Sequence, residues 1–148
     1  MKLMILNGPN LNLLGIREPT IYGAETYTDL IQKIEQHAKT IDVDVVCYQS
    51  NHEGDLVDAI HRAYFEGFDG IVINPGAYTH TSIALLDAVK GTAIPTVEVH
   101  ISAVEQREDF RQISYIRSAC VLTVSGQGTN GYLQAMDFLK NRNFGDTQ

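Results

Sequence analysis

Arg17 and Tyr22 lie near the start of the chain and form a residue pair that could abstract a proton. A tyrosine with a pKa of about 10 is a poor base at neutral pH. A guanidinium close to the phenol stabilises the phenolate and lowers that pKa, which makes the tyrosine a general base. Gly15 and Gly23 bracket the segment and are candidate hinges for a closing lid. The structural alternative is that Tyr22 packs the loop while Arg17 is solvated.

Glu98 and His100 alternate along a predicted strand, so both side chains point to one face. A carboxylate beside a histidine can fix its tautomer and keep it a good proton donor. The alternative is a hydrogen-bonded structural histidine. His80 lies near a predicted helix start, where backbone N–H groups favour anions, although it could be a polar residue of the first turn.

The elements that position these residues follow from the pattern of apolar runs. Five short runs are continuous rather than alternating, which is typical of strands covered on both faces. The predicted strands are residues 3–6, 43–48, 70–73, 96–99 and 119–124. Amphipathic helices are predicted within residues 27–41, 56–64, 83–89 and 132–139, with Thr26 and Asp29 starting the first. Residues 101–118 are less regular and have room for one short helix.

This order predicts one domain, residues 1–148, of the α/β class. The expected architecture is a flavodoxin-like three-layer fold. Its five-stranded parallel sheet has the order 2-1-3-4-5 and helices on both faces. Ligands bind such sheets beyond the carboxyl ends of the strands. Residues 7–23 form a connection far longer than the usual roughly two to six residues, which indicates function. The residues expected to converge at this edge are Asn10, Tyr22, Asn74, His80 and His100, with Arg107 or Arg111 folding back.

Composition narrows the classes of partner. A net charge of −7 argues against a general nucleic-acid or anionic-membrane surface, but a small anionic substrate needs only one or two well-placed cations. The sequence has no run of about 18 apolar residues, so no transmembrane helix is predicted. A cytoplasmic location is the default expectation. Cys47 and Cys120 lie in apolar runs and are predicted to be small buried hydrophobes, without a disulfide or zinc site.

Five sequence blocks resemble those of type II dehydroquinases in order and spacing across nearly the whole chain. They are residues 6–12 with 17–19 and 21–23, residues 49–54, residues 74–82, residues 98–102 with 107–111, and residues 126–132. The resemblance implies a cofactor-free hydro-lyase of the shikimate pathway. It would convert 3-dehydroquinate to 3-dehydroshikimate by anti elimination through an enolate. The family usually assembles as a homododecamer built of trimers.

The same resemblance implies a role for individual residues. Tyr22 would take the C2 proton with Arg17 supporting its phenolate, and Asn10 would stabilise the enolate through a water. His100, beside Glu98, would protonate the departing C1 hydroxyl. The implied substrate-binding residues are Asn74, His80 and Arg111 for hydroxyls and orientation, Ile101 and Ser102 for the carboxylate, and Asp87 for the site of a neighbouring subunit. Without the resemblance, Arg111 would be assigned to the carboxylate. No metal and no imine-forming lysine is implied.

Two positions depart from the family pattern. Ala103 stands where members usually carry asparagine, which could weaken a loop hydrogen bond, and Leu86 stands where they often carry arginine, which could alter a subunit contact. The alternatives are a flavodoxin-like binding module and an inactive homologue. A phosphate-receiving module would need an aspartate where Asn74 stands, and only Ala103 suggests an inactive homologue.

Overall fold

The computed structural model describes residues 1–16, 20 and 24–142, and it confirms the predicted sheet. The strands are β1 (Lys2–Asn7), β2 (Asp44–Gln49), β3 (Gly70–Asn74), β4 (Thr96–His100) and β5 (Leu122–Ser125). The longer helices are α1 (Tyr27–Thr40), α2 (Glu53–Phe65), α3 (Ile83–Thr92) and α4 (Asn130–Asn141). The order is β2-β1-β3-β4-β5, and all neighbouring pairs are parallel.

Local sequence signals explain where two helices begin. At the start of α1, the Asp29 N–H donates to the Thr26 hydroxyl at 3.1 Å and the Thr26 N–H donates to the Asp29 carboxylate at 3.0 Å. This capping box satisfies two donors that the first turn leaves unpaired. At α3, the Ser82 hydroxyl accepts from the Leu85 N–H at 3.0 Å. Ser82 thus fixes the helix start directly after the predicted site residue His80.

The sheet separates two apolar cores. Leu3, Ile5 and Val72 point to one face and pack against α1 and α4. Alternate residues of the same strands, such as Met4 and Ile71, point to the other face and pack against α2 and α3. β1 and β3 are therefore buried on both faces, as their continuous apolar runs predict. Each fully buried aliphatic side chain contributes roughly 1.5–3 kcal/mol of transfer free energy.

Three details differ from the sequence prediction. β5 begins at Leu122 instead of residue 119, because Ala119 belongs to the 3-10 turn Arg117–Ala119. Ala119 and Cys120 pack against the core from this turn and the segment after it. The connection after β4 holds two further 3-10 turns, Val104–Gln106 and Asp109–Arg111, in place of one short helix. β2 is an edge strand and only partly buried, which weakens the expectation that both of its faces are covered.

The two cysteines are free and partly buried, so they are less enclosed than predicted. Cys47 packs against the core beside α1 and α4, whereas Cys120 packs against the core on the opposite face. Cys120 also precedes β5 and does not lie on it. Burial raises the pKa of both thiols to about 12. Among the described helices, none has the length and apolar character needed to cross a membrane.

Candidate active site

The loops that follow β1 and β3 interlock at two glycines. The Gly8 N–H donates to the Asn74 carbonyl at 2.8 Å, and a Cβ atom on Gly8 would lie 2.3 Å from the Pro75 carbonyl oxygen. Gly76 has a φ of +60°, and a Cβ atom there would lie 2.9 Å from the Pro9 carbonyl oxygen. Larger residues would force the two backbones apart. The glycines therefore hold two polar segments side by side at the sheet edge.

A pocket opens at this edge, where the loops after β1, β3 and β4 meet. The predicted site residues that line it are Asn10, Asn74, His80, His100, Ile101, Ser102 and Arg111. Arg107 also lines the pocket, and Leu11, Leu14, Ala77 and Val104 supply apolar wall. The pocket combines convergent polar groups with apolar surface, as small-molecule sites do.

Asn10 is held in place by the loop after β2. Its backbone is left-handed, with a φ of 69°, a conformation that asparagine tolerates better than most residues. The Asn10 N–H donates to the Asn51 side-chain oxygen at 3.0 Å, and Gln49 Nε2 donates to the same oxygen at 3.1 Å. The Tyr78 hydroxyl donates to the Asn51 carbonyl at 2.8 Å. Asn51 thus links three loops at the pocket rim.

Asn74 is fixed by a buried chain of neutral hydrogen bonds. Its Nδ2 donates to the Tyr132 hydroxyl at 3.0 Å, and that hydroxyl donates to Asn7 Oδ1 at 2.5 Å. The Asn74 Oδ1 accepts from the Gly76 N–H at 3.1 Å. These bonds identify which amide atom is nitrogen and orient the side chain. Burial raises the pKa of the Tyr132 phenol, so its hydroxyl stays protonated.

His80 has one ring nitrogen assigned by its partner. Nδ1 lies 2.7 Å from the Ile113 carbonyl oxygen, which can only accept, so Nδ1 carries the proton. Burial lowers the pKa of His80, and the charges of Arg111 and His100 lower it further, against the opposing effects of the Ile113 carbonyl and Glu98. His80 is therefore neutral at pH 7, with Nε2 available as an acceptor.

Glu98 and His100 form the most enclosed charged group of the site. The Glu98 side chain is 0% exposed and accepts a hydrogen bond from His100 Nε2. Its oxygens also accept from Ser114 Oγ at 2.8 Å, from Arg117 Nε at 3.2 Å and Nη2 at 3.3 Å, and from Thr123 Oγ1 at 3.2 Å. Burial alone would raise the pKa of Glu98, but these donors outweigh it and lower the pKa to about 2.

This arrangement defines what His100 can do. Its Nε2 is occupied by a carboxylate that stays ionised near neutral pH, so Nδ1 is the nitrogen left for exchange with a ligand. The adjacent carboxylate fixes the orientation of the ring and its tautomer. Because His100 also lines the pocket, it is placed to deliver a proton there.

The backbone that follows His100 is also anchored. The Gly128 N–H donates to the Ile101 carbonyl at 3.1 Å, and the Ser125 hydroxyl donates to the Ser102 carbonyl at 3.2 Å. These contacts hold the turn after β4 against the end of β5 and the loop that follows it. The Ile101–Ser102 peptide therefore faces the pocket from a fixed turn.

A comparison with known proteins decides the family. The family model for dehydroquinase class II matches residues 1–140. The chain belongs to the class II dehydroquinase family. A 3-dehydroquinate dehydratase of Clostridium perfringens is 55% identical over 142 residues, which cover 96% of this chain and 99% of that relative.

Solved structures of the family have the same fold. The type II dehydroquinase of Butyrivibrio crossotus has a TM-score of 0.94 and 52% identity, covering 95% of this chain and 98% of that one. The type II dehydroquinase of Propionibacterium acnes has a TM-score of 0.92 and 37% identity, with coverages of 95% and 97%. The resemblance drawn from the five sequence blocks and the flavodoxin-like fold are thereby confirmed.

Besides Glu98, which hydrogen-bonds His100 from behind, three predicted class II dehydroquinase residues are not in the described pocket. Arg17 and Tyr22 lie outside the described residues. Asp87 lies exposed on α3 and does not line the pocket of its own chain, so its role toward a neighbouring subunit stays a prediction. Within the part of the chain that the structure describes, no group of three or more His, Cys, Asp or Glu side chains is placed to hold a metal ion.

The two departures from the family pattern have different surroundings. Leu86 is partly buried and packs against the core on the α2 and α3 face. Ala103 packs closely on the loop after β5, since a Cβ atom on Gly126 would lie 3.3 Å from the Ala103 Cβ. Neither residue contacts the Glu98–His100 pair through a hydrogen bond that the structure describes.

Sequence reasoning missed several residues that support this class II dehydroquinase site. Tyr132 begins the amphipathic segment predicted within residues 132–139, and that pattern does not show that it also orients Asn74. Ser114 and Arg117 lie in the irregular connection, where no periodicity marks them. One signal was present: a glutamate inside the apolar run Val97–Val99 is a buried carboxylate and needs donors from elsewhere.

Proposed function

We propose that this protein is a type II 3-dehydroquinate dehydratase, a hydro-lyase that removes water from 3-dehydroquinate to give 3-dehydroshikimate. The observation that carries the proposal is the ionised Glu98 beneath His100 at a pocket that Asn10, Asn74 and Arg111 also line. This arrangement supplies an acid for a leaving hydroxyl and polar donors for a hydroxylated ring. The 3-dehydroquinate dehydratase named among the relatives is similar over nearly its whole length.

The first step is proton removal from C2 of the substrate. The Tyr22 phenolate, stabilised by Arg17, takes the proton, and the electron pair of the C–H bond forms an enolate with the C3 ketone. Negative charge then develops on the ketone oxygen, so a donor fixed in advance lowers the barrier. Asn10 supplies that donor through a water, which is consistent with its anchored position at the pocket rim.

The second step expels the C1 hydroxyl. The enolate electrons form the C1–C2 double bond while the C1–O bond breaks, and His100 gives its proton to the departing oxygen, so that water leaves. Base and acid come from different parts of the chain, Tyr22 from the segment after β1 and His100 from the end of β4, as an anti elimination across the ring requires. Asn74, His80 and Arg111 hold the substrate hydroxyls, and the Ile101–Ser102 backbone with the Ser102 hydroxyl receives the carboxylate.

Turnover of 3-dehydroquinate tests the proposal directly, because the product is a conjugated enone that absorbs ultraviolet light. We expect the wild type to form the enone and Tyr22→Phe to be slower by roughly 10²-fold or more, since general-base catalysis contributes about 10²–10⁴. Tyr64→Phe, an exposed tyrosine on α2, is the matched control. No enone from the wild type would reject the activity, and equal rates would remove Tyr22 from the base role.

A second test separates this mechanism from metal-dependent and imine mechanisms. We expect neither a chelator nor borohydride added with substrate to reduce the activity. Loss with the chelator would indicate a metal, and loss with borohydride would indicate an imine formed on a lysine. Either loss would contradict the proposed chemistry.

The proposed enzyme acts as a homo-oligomer, a dodecamer built of trimers, in which Asp87 reaches the site of a neighbouring subunit. Asp87 lies exposed on α3 together with Ile83, which is 56% exposed. Light scattering should give a particle of about twelve times the chain mass of 16.4 kDa. A monomer with full activity would reject the shared site. A cytoplasmic location stays a prediction, to be checked by cell fractionation.

A further inference from the structure

Arg117 contacts the catalytic pair from outside the pocket. Its guanidinium bridges both oxygens of Glu98, with Nε at 3.2 Å from Oε1 and Nη2 at 3.3 Å from Oε2. His100 is the member of the pair that lines the pocket, and its Nε2 bonds the same Glu98 oxygen, Oε2, that Arg117 Nη2 contacts. Arg117 is not among the described residues that line the pocket. Its influence on the reaction must therefore pass through Glu98.

Local structure fixes the position of Arg117. The preceding residue, Ile116, is 0% exposed and packs in the core on the α2 and α3 face. The Arg117 carbonyl accepts from the Cys120 N–H at 3.1 Å, which closes the 3-10 turn. The Arg117 side chain is 45% exposed, so its charge is partly hydrated while its fork reaches a buried carboxylate. Two parallel N–H groups match a carboxylate in geometry.

The other groups that face Glu98 come from every element packed around it. Ser114 and Thr123 donate to its oxygens and carry no charge. Burial raises the pKa of Cys120 to about 12, so this thiol stays neutral. His80 is influenced by Glu98 and His100, and it is neutral because burial lowers its pKa. Among the described groups that hydrogen-bond Glu98, Arg117 is therefore the permanent cation.

We propose that Arg117 is a positioning residue that, together with Ser114, shares the Glu98 carboxylate with His100 and thereby makes His100 a better proton donor. A carboxylate held by His100 alone would retain the imidazolium proton strongly. A second cation on the same carboxylate offsets part of that attraction, so the proton leaves His100 more readily. The inference deepens the proposed function, on which it rests for the role of His100 as the acid.

The consequence is a defined shift in pH dependence. Replacing Arg117 by glutamine removes the competing cation, so the titration midpoint of His100 should rise by about one pH unit. Because the Arg117 side chain is 45% exposed and salt screens its charge, the expected change in the His100 midpoint is small for a charge removal. The alkaline limb of the kcat profile should move upward with it. A weaker acid slows proton transfer by only part of the change in its acidity. The pH-independent kcat should therefore fall by about threefold, with an unchanged KM.

The experiment compares Arg117→Gln with wild type by two readouts. Histidine carrying ¹³C at Cε1 gives an NMR titration of His100, assigned by the signal that His100→Asn loses, and enone formation gives kcat and KM against pH. Arg62→Gln is the matched control, because Arg62 is 47% exposed and pairs with Glu66 at 3.4 Å on α2. Arg117→Lys retains the charge without the fork and should shift the midpoint less than Arg117→Gln.

Each outcome separates the two proposals. An unmoved His100 midpoint in folded Arg117→Gln, or a shift in Arg62→Gln as large as that in Arg117→Gln, would overturn the inference. If the His100 midpoint differs between wild type and Arg117→Gln but the wild type forms no enone, the proposed function is rejected and the coupling between Arg117 and His100 stands. If Arg117→Gln does not fold, Ser114→Ala removes another donor from Oε2 and should raise the midpoint by a smaller amount. No rise in that variant would overturn the sharing of the carboxylate.

Discussion

The two faces of the sheet use different interactions to orient a side chain that lines the pocket. On the face of α1 and α4, Asn74 is oriented by Tyr132 and Asn7 through neutral hydrogen bonds. On the opposite face, His100 is oriented by Glu98, an ionised carboxylate. Both groups are buried and both end at the carboxyl edge of neighbouring strands.

The difference teaches what each face can contribute. The neutral chain keeps its protonation through the working range, because burial raises the pKa of the Tyr132 phenol. It can orient a substrate but cannot exchange a proton near neutral pH. The Glu98–His100 pair includes an ionised carboxylate and an imidazole, the side-chain type that most often serves as a proton donor in enzymes. We therefore expect substitutions on the two faces to affect different quantities, and the following tests would break or sharpen that division.

The largest effect is expected for His100→Asn. Asparagine can hydrogen-bond Glu98 but cannot donate a proton as an acid, so kcat should fall by roughly 10²–10⁴-fold with a small change in KM. The measurement is enone formation at saturating and limiting substrate. His61→Asn, an exposed histidine on α2, is the control and should keep wild-type kinetics. A loss below tenfold would mean that the charged face does not supply the acid.

The next effect concerns stability in acid. The pKa of Glu98 is about 2 in the fold against an ordinary 4.5, so its ionised form stabilises the native state above pH 4.5 and loses this contribution as pH falls toward 2. From pH 6 to pH 2 this group should cost the wild type about 3 kcal/mol of unfolding free energy.

Urea unfolding across that range checks the prediction. The difference between wild type and Glu98→Gln should shrink toward pH 2, whereas the exposed Glu66→Gln control should show little change. A wild-type advantage over Glu98→Gln that is constant from pH 6 to pH 2 would contradict the depressed pKa of the buried carboxylate.

The smallest effect is expected on the neutral face. Tyr132→Phe leaves Asn7 Oδ1 and Asn74 Nδ2 without their shared partner, which should cost about 1–3 kcal/mol of unfolding free energy at any pH between 5 and 8. Loss of Asn74 orientation should raise KM more than it lowers kcat. Tyr64→Phe provides the control. A pH-dependent loss, or a fall in kcat alone, would remove the distinction between the faces.

Sequence patterns predicted the elements correctly wherever the burial of successive residues follows a regular pattern. β1 and β3 are covered on both faces, so continuous apolar runs marked them, and the capping box at Thr26 marked the start of α1. The boundary of β5 was wrong because Cys120 packs against the core from the segment between a 3-10 turn and β5, and not from the strand itself. Apolar character reports burial, and it does not report the backbone conformation that achieves it.

The order of strands and helices, the polar ends of β1, β3 and β4, and the Glu98–His100 alternation were determined by the sequence alone, since periodicity and strand direction are local properties. The partners of these groups were decided only by tertiary structure. Tyr132 lies 58 residues from Asn74, and Arg117 lies 19 residues from Glu98 in an irregular connection. No local pattern encodes such contacts, because they depend on which segments the packed cores bring together.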